Sequence, residues 1–250
     1  MQCYGLILLV FYGISISIII EGKFKMDVKG FKVNFLGDSI TEGVGVTDQE
    51  NCRYDNRLAK LCGLSATNNY SISGSRLAHQ IHPSEKPRYD LCFCGRAYDM
   101  DESADMVIVY GGVNDYIHGD APFGEIGDTT PATYCGGVYF LMKYLREVYC
   151  NKPIIFFTPA RSFLRKQVDD RVASTHAKKL PGGKPLIEYA DVIIKTAKQF
   201  DVAVLDLYRD LGLDPHDEEC FDTYTIDGLH FNDAGHEVLA QKLKEFIDKL

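Results

Sequence analysis

The sequence predicts a three-layer α/β domain over residues 26–250, in which helices cover both faces of a five-stranded parallel sheet. Short apolar runs alternate with longer amphipathic segments along this range, as expected for strands joined by helical crossovers. The composition, 46% hydrophobic and 25% charged, excludes disordered, collagen-like and coiled-coil chains. A chain of 250 residues is also long enough to bury a sizeable core without disulfides or metal ions.

Short segments rich in branched and aromatic side chains, each bounded by turn-forming residues, are predicted to be strands. In chain order they are 33–37, 67–72, 105–110, 153–158 and 202–207. Longer segments with apolar residues at helical spacing are predicted to be helices. They are 54–64, 133–149, 185–200 and 233–250. For the last helix, Asn232 is available as the N-cap, and we expect His236 to lie on the exposed side.

Two stretches, 80–104 and 159–184, are rich in Pro, Gly, Arg and Asp and match neither pattern. Both flank the ends of predicted strands. Ligands of open parallel sheets bind outside the carboxyl ends of the strands. We therefore expect these two stretches to form walls of a binding site, with long surface connections as the alternative.

Residues 1–25 form an apolar leader, and residues 1–20 contain no charged side chain. We favour Met26, just before the first strand, as the true start, which predicts a cytoplasmic protein. Alternatively, residues 3–20 are just long enough for a membrane anchor, and only then is membrane contact expected. An export signal is the third interpretation, although a basic n-region and a small-residue cleavage site are lacking.

Charge and cysteine spacing exclude several classes of partner and cofactor. The net charge is −8 and no basic run exceeds two residues, so we expect no nucleic-acid partner. The eight cysteines include no CxxC pair, which predicts buried free thiols rather than disulfides or a zinc site. His79 and His82 lack further ligands and are predicted to be exposed. We expect no metal and no cofactor.

Polar residues with catalytic chemistry follow the predicted strands. Ser39 follows the first strand, Gly74 the second and Asn114 the third, while Asp227 and His230 precede the last helix. Because the carboxyl ends of parallel strands meet at one edge of the sheet, we expect these five residues to lie together.

These residue types meet the requirements of acyl transfer. A serine hydroxyl becomes a good nucleophile when a neighbouring base takes its proton. His230 is that base if Asp227, three residues earlier, holds its second nitrogen. The N–H groups of Ser39 and Gly74 and the Asn114 side-chain amide are candidate oxyanion donors. We expect Asp38 to have only a structural role in the turn.

Aromatic side chains near the expected edge of the sheet have two interpretations. They are Tyr116, Phe123, Tyr134 and Phe163, which we expect in loops. They either line an acyl or sugar pocket or simply pack within the loops.

Four short motifs resemble the SGNH (GDSL-type) hydrolases and follow one another in that family's order. They are GDSIT at 37–41, Gly74, GVND at 112–115 and DGLH at 227–230. The resemblance spans about residues 33–250 and implies a flavodoxin-like fold, the SGNH hydrolase fold. It also implies Ser39 as nucleophile, His230 as base oriented by Asp227, and an oxyanion hole formed by Ser39, Gly74 and Asn114. A GxSxG motif, typical of α/β-hydrolases, is lacking.

The sequence therefore predicts a serine esterase that hydrolyses a small-molecule ester through an acyl-enzyme. We expect a short acyl group, with a carbohydrate O-acetyl ester as one candidate. Lysophospholipase, thioesterase or acyltransferase activity on the same triad remains open, as does a binding module without catalysis. The oligomeric state is also open.

Overall fold

The computed structural model describes residues 5–11, 14–20, 26–84, 87–163, 165–168, 171–174 and 184–250. Within the apolar leader, β1 (Gly5–Phe11) pairs antiparallel with β2 (Ile14–Ile20). The remaining leader residues, 1–4, 12–13 and 21–25, lie outside the described residues, so the three interpretations of the leader stay predictions. None of the helices in the described ranges has the length and apolar character needed to cross a membrane.

The central sheet has five parallel strands, as predicted. They are β3 (Lys32–Gly37), β4 (Ala66–Asn69), β5 (Met106–Tyr110), β6 (Ile154–Phe157) and β9 (Ala203–Leu205). The spatial order is β4-β3-β5-β6-β9. Numbered by chain order alone, these strands run 2-1-3-4-5, the flavodoxin-like arrangement. A further antiparallel pair, β7 (Arg165–Val168) and β8 (Arg171–Ser174), lies in the stretch after β6.

Helices follow the strands and include all four predicted segments. The helices are α1 (Ser39–Glu42), α2 (Gln49–Cys52), α3 (Tyr54–Cys62), α4 (Phe93–Arg96), α5 (Val113–His118), α6 (Tyr134–Val148), α7 (Leu186–Ala197), α8 (Leu207–Asp210), α9 (Glu218–Tyr224) and α10 (Asp233–Ile247). The α3 helix packs against α10, and α6 packs against α7. Asn232 is the N-cap of α10, as predicted, and its side chain accepts the N–H groups of Ala234 and Gly235.

Neighbouring residues of β3 show how the sheet is covered on both sides. Phe35 makes an edge contact with Tyr54 of α3, with ring centroids 5.7 Å apart. The next residue towards the N-terminus, Asn34, donates to the hydroxyl of Tyr149, at the end of α6. Successive side chains of a strand point to opposite faces, so α3 and α6 lie in different layers. This arrangement is the predicted three-layer α/β domain.

His236 corrects one expectation, because it is fully buried rather than exposed. It lies between α10 and α3, with its ring stacked on Tyr54 at a centroid distance of 5.9 Å. Tyr54 is the first residue of α3, and its N–H donates to His236 Nδ1. The first N–H groups of a helix have no partner within the helix. His236 therefore caps α3 from the neighbouring helix.

All seven cysteines in the described ranges are free thiols, as predicted. Their burial is less uniform than expected. Cys92, Cys94 and Cys135 are buried, whereas Cys150 is exposed. His79 and His82 are exposed, as predicted.

Candidate active site

Ser39 lies at the carboxyl end of β3, as the first residue of α1. Asp38 caps α1, and its carboxylate accepts the N–H of Ile40 at 3.1 Å. A Cβ atom at Gly37 would overlap the side chain of Thr41, so glycine allows α1 to turn tightly over the strand end. The local sequence thus places the Ser39 hydroxyl at the edge of the sheet.

Asp227 and His230 belong to a tight turn just before α10. The Asp227 carboxylate accepts the backbone N–H groups of Leu229 and His230, at 3.0 and 2.8 Å. Its second oxygen lies 2.7 Å from His230 Nδ1. Ile226 N–H donates to the His230 carbonyl at 2.9 Å and closes the turn. These contacts place the imidazole and the carboxylate side by side.

His230, in this turn, contacts Ser39, although the two residues are 191 positions apart in the sequence. His230 Nε2 lies 2.9 Å from Ser39 Oγ. A carboxylate only accepts hydrogen bonds, so a neutral His230 carries its proton on Nδ1 and Nε2 accepts the Ser39 hydroxyl proton. The direction of both hydrogen bonds is the one that general-base activation of a serine requires.

Electrostatics keep Asp227 ionised. Burial acts to raise the pKa of this carboxyl, but the hydrogen bond and charge of His230 and the turn N–H groups outweigh it. The pKa of Asp227 is consequently held below its ordinary value. An ionised carboxylate at this place can stabilise an imidazolium on His230.

Gly74 lies in the turn after β4, with a φ of +75° that favours glycine. The preceding residue, Ser73, donates its N–H and its hydroxyl to the Glu42 carboxylate. Glu42 is the last residue of α1, so these two hydrogen bonds connect the Gly74 turn to the helix that carries Ser39. Within the described ranges, neither the Ser39 nor the Gly74 backbone N–H is donated to a protein acceptor.

Asn114 lies in the first turn of α5, directly after β5, and is 4% exposed. Its Nδ2 lies 3.0 Å from the Ser75 carbonyl oxygen and 3.3 Å from Asp38 Oδ2. The second distance is longer than a usual N–H···O bond.

Asp38 does more than hold the turn, which sequence reasoning missed. Burial raises the pKa of its carboxyl to about 6, although the Ile40 N–H opposes the shift. Its second oxygen contacts the Asn114 amide. Asp38 therefore connects two candidate catalytic groups, since it caps the helix that carries Ser39 and also contacts Asn114. The GDS tripeptide alone gives no signal of this contact.

The aromatic residues predicted near the site divide into two groups. Tyr116 lies on α5 and Tyr134 begins α6, which corrects the expectation of loops and, for Tyr134, confirms the predicted helix 133–149. Both rings pack against Tyr189 of α7, at centroid distances of 5.6 and 4.6 Å, and Phe123 contacts Tyr189 as well. Phe163 differs, because its N–H donates to the carbonyl of Gly228 in the Asp227 turn. Of the four, Phe163 thus directly contacts the turn of the candidate site.

The predicted site residues therefore lie together, with Ser39, Asp227 and His230 hydrogen bonded in a row and Gly74 and Asn114 on the neighbouring strand ends. Among the described residues, no three His, Cys, Asp or Glu side chains are grouped as a metal ion would need. The arrangement is that of a hydrolase with a serine, a histidine and an aspartate at the carboxyl edge of a parallel sheet.

Comparison with known proteins gives the family. The model of the GDSL-like lipase/acylhydrolase family matches residues 35–238, and the chain belongs to this family. It is an ester hydrolase of the SGNH type. No match is found among curated proteins.

Solved structures share the fold. A Lactobacillus plantarum protein is 29% identical, with a TM-score of 0.74 over 88% of this chain and 98% of that chain. An acetyl-xylooligosaccharide esterase from Geobacillus is 20% identical, with a TM-score of 0.56 over 89% and 96%. An acetyl xylan esterase is 21% identical, with a TM-score of 0.54 over 86% and 98%.

Proposed function

We propose that this ester hydrolase is a serine esterase that forms an acyl-enzyme on Ser39. The observation that carries the proposal is the row of hydrogen bonds from Ser39 Oγ to His230 Nε2 at 2.9 Å and from His230 Nδ1 to Asp227 at 2.7 Å. The first lies within the range in which a proton passes between nucleophile and base, and the second is the hydrogen bond that orients the base.

In the acylation step, Ser39 Oγ bonds to the ester carbonyl carbon while its proton passes to His230 Nε2. The carbonyl electron pair moves to oxygen and forms the oxyanion. When the bond to the leaving alcohol breaks, His230 returns the proton to that alcohol. The acyl group remains on Ser39 and the triad regains its charge state.

The oxyanion is stabilised by three donors on three strand ends. They are the N–H groups of Ser39 and Gly74 and the Asn114 side-chain amide. The two N–H groups have no protein acceptor within the described ranges, and the Asn114 contact to Asp38 is long at 3.3 Å. Donors placed before the reaction lower the barrier because they need no reorganisation as charge develops.

In the deacylation step, water takes the place of the alcohol. His230 Nε2 removes a proton as the water oxygen bonds to the acyl carbon. The bond to Ser39 Oγ then breaks, and Oγ recovers the proton from His230. The products are a carboxylic acid and the free enzyme.

The substrate class we propose is a small ester with a short acyl group. Val44 and Ile226 are exposed apolar residues whose N–H groups donate to the carbonyls of Ser39 and His230. The Ile226 side chain lies beside Gly45. Two exposed apolar residues whose backbones contact Ser39 and His230 offer apolar area for only a few methylene groups, which favours a short chain over a lipid.

A carbohydrate O-acetyl ester is the candidate of this size that the comparisons support. Two proteins with the same fold are esterases of acetylated xylan or xylooligosaccharide. Acyl transfer to a sugar uses the same acyl-enzyme with a sugar hydroxyl in place of water, and is the second outcome of the test below.

The test is hydrolysis of aryl esters of increasing acyl length, run beside acetylated oligosaccharides. We expect kcat/KM to be highest for acetyl and to fall as the chain lengthens. Ser39→Ala should lose at least about 10³-fold in kcat and remain folded. Ser65→Ala, which changes an exposed serine, is the matched control.

Three results would contradict parts of the proposal. Wild-type activity in Ser39→Ala would remove the serine mechanism. A preference for long acyl chains would replace the short-acyl substrate with a lipid or thioester. Product esters formed on added sugar at the expense of free acid would assign acyl transfer.

A further inference from the structure

The Asn114 amide is held by hydrogen bonds that begin outside the triad. His118 Nε2 lies 2.8 Å from Asn114 Oδ1, and Arg76 Nη2 lies 2.5 Å from His118 Nδ1. Asn114 and His118 are four residues apart on α5, so their side chains share one face. Arg76 comes two residues after Gly74 in the chain. The row therefore joins the segments that carry two of the proposed oxyanion donors.

The chemistry of the groups fixes the direction of each hydrogen bond. A guanidinium donates and never accepts, so His118 Nδ1 is the acceptor from Arg76. A neutral imidazole whose Nδ1 accepts carries its proton on Nε2. That N–H then donates to Asn114 Oδ1. Arg76 thus selects the tautomer of His118, and His118 selects the orientation of the Asn114 amide.

The opposite orientation of the Asn114 amide would place acceptor against acceptor at one end and donor against donor at the other. With the amide reversed, Oδ1 would face the Ser75 carbonyl and the Asp38 carboxyl oxygen, which are acceptors. Nδ2 would face the His118 N–H, which is a donor. Because Asn114 is 4% exposed, solvent has little room to relieve either conflict. The observed orientation is the one that places the N–H groups of Asn114 on the side of Asp38 and Ser75.

We infer that His118 is a positioning residue for ester hydrolysis, since its Nε2–H holds the Asn114 amide with its N–H group towards the oxyanion. The inference rests on the proposed function, in which Asn114 stabilises that oxyanion. Arg76 contacts His118 and His118 contacts Asn114, and these contacts place neither residue on the reacting atoms. An oriented donor matters most when charge develops on the substrate oxygen, so the effect belongs to kcat more than to KM.

The first test compares two amide side chains at position 118. His118→Asn places its amide short of Asn114 Oδ1, and we expect kcat to fall about 10- to 100-fold with KM changed less than about 3-fold. His118→Gln reaches as far as Nε2 and should recover most of the lost kcat. His79→Asn, at an exposed histidine, is the matched control and should keep the wild-type kcat.

The second test is a double-mutant cycle with Asn114→Ala. If His118 acts only through Asn114, adding His118→Asn to Asn114→Ala produces no further loss in kcat. A general structural role of His118 would lower kcat again in the double variant, which would overturn the inference. Thermal unfolding of each variant confirms that the folded protein is compared. His118→Leu repeats the cycle if His118→Asn fails to fold.

The outcomes separate this inference from the proposed function. Wild-type kcat in Asn114→Ala would overturn the oxyanion role and the inference with it. A loss of kcat in Asn114→Ala together with wild-type kcat in His118→Asn would overturn the inference alone. Equal losses in His118→Asn and His118→Gln would also overturn it, because the donor at the Nε2 position would then be irrelevant.

Discussion

Gly228 lies between Asp227 and His230, and its backbone has a φ of +81°. A Cβ atom there would overlap the carbonyl oxygen of Phe163, in the loop after β6. The two backbones are this close because the Phe163 N–H donates to the Gly228 carbonyl at 2.7 Å. Gly228 therefore serves two purposes, the left-handed turn and the close approach of a neighbouring loop.

Gly228→Ala should displace the turn that carries Asp227 and His230. We expect a loss of about 1 kcal/mol from the left-handed backbone and a further ~1–3 kcal/mol from the overlap with Phe163. Urea unfolding measures the stability, and ester hydrolysis should fall with it because His230 moves away from Ser39.

Gly212→Ala is the matched control for this prediction. Gly212 has nearly the same φ, +80°, but open space around its Cβ position. Gly212→Ala should lower the free energy of unfolding only by the cost of the left-handed backbone, and it should keep full activity. Equal effects of the two substitutions would show that the contact with Phe163 does not constrain the turn.

Single residues were predictable to different degrees. Ser39, Gly74, Asn114, Asp227 and His230 were predicted because each occupies a strand end or a turn visible in the sequence. The contacts of Asp38 and His118 with Asn114 depend on how separate strand ends approach each other. No local pattern records that distance, so sequence reasoning assigned Asp38 to the turn and did not single out His118.

The packing of α3 against α10 depends on one buried histidine, His236. Burial lowers the pKa of His236 to about 4, with the nearby charge of Asp55 opposing the shift. His236 accepts the first N–H of α3 through Nδ1, and within the described ranges its Nε2 has no hydrogen-bond partner. The neutral ring carries its proton on Nε2, so a second proton would go to Nδ1, where it would displace the Tyr54 N–H and place a buried charge between the two helices.

Acid should destabilise the protein through His236. The folded-state pKa, about 4, lies below the unfolded value near 6.5, so this stability is present above pH 6.5 and is lost as pH falls towards 4. Between pH 7 and pH 5 we expect the wild type to lose about 2 kcal/mol more than His236→Asn, which does not titrate. Urea unfolding at the two pH values measures the difference.

Other groups titrate in the same pH interval, but their contributions to stability are the same in the wild type and in His236→Asn and cancel in the difference. Burial raises the pKa of Asp38 to about 6 and of Asp115 to about 7, so protonation of both favours the folded state as pH falls. Both groups are present in the wild type and in the variant. His79→Asn, at an exposed site, should keep the wild-type pH dependence. Identical curves for the wild type and His236→Asn would refute the assignment to His236.

Long helices and strands with a clear apolar pattern were predicted well, and short elements were predicted less well. The predicted strand 67–72 ends at Asn69 in the structure, although Tyr70 and Ile72 still donate to the carbonyls of Phe35 and Gly37. The Asn69 side chain accepts the Ser71 N–H and so ends the regular ladder. The short helices α2, α4, α5, α8 and α9 have at most seven residues, too few for a periodic pattern.

At the scale of the whole molecule, the strand order assembles the site. Because β3 lies between β4 and β5, the segments with Ser39, Gly74 and Asn114 follow three adjacent strands. The turn before α10 reaches the same edge from the end of the chain. This convergence was predictable, because parallel strands with helical crossovers place all their carboxyl ends together. The stretches 80–104 and 159–184 contain α4 and the pair β7–β8, elements of four residues that are too short for a periodic pattern to predict. That they form walls of the site stays a prediction, because residues 85–86, 164, 169–170 and 175–183 lie outside the described residues.

We propose that Ser39 is a nucleophile activated by His230 and Asp227. Labelling with a fluorophosphonate probe, followed by intact mass and peptide mapping, tests it most directly. We expect one probe per chain, attached to Ser39, and no labelling of Ser39→Ala under the same conditions. If the folded wild-type protein takes up no probe, or if Ser39→Ala takes up as much as the wild type, Ser39 is not the activated nucleophile.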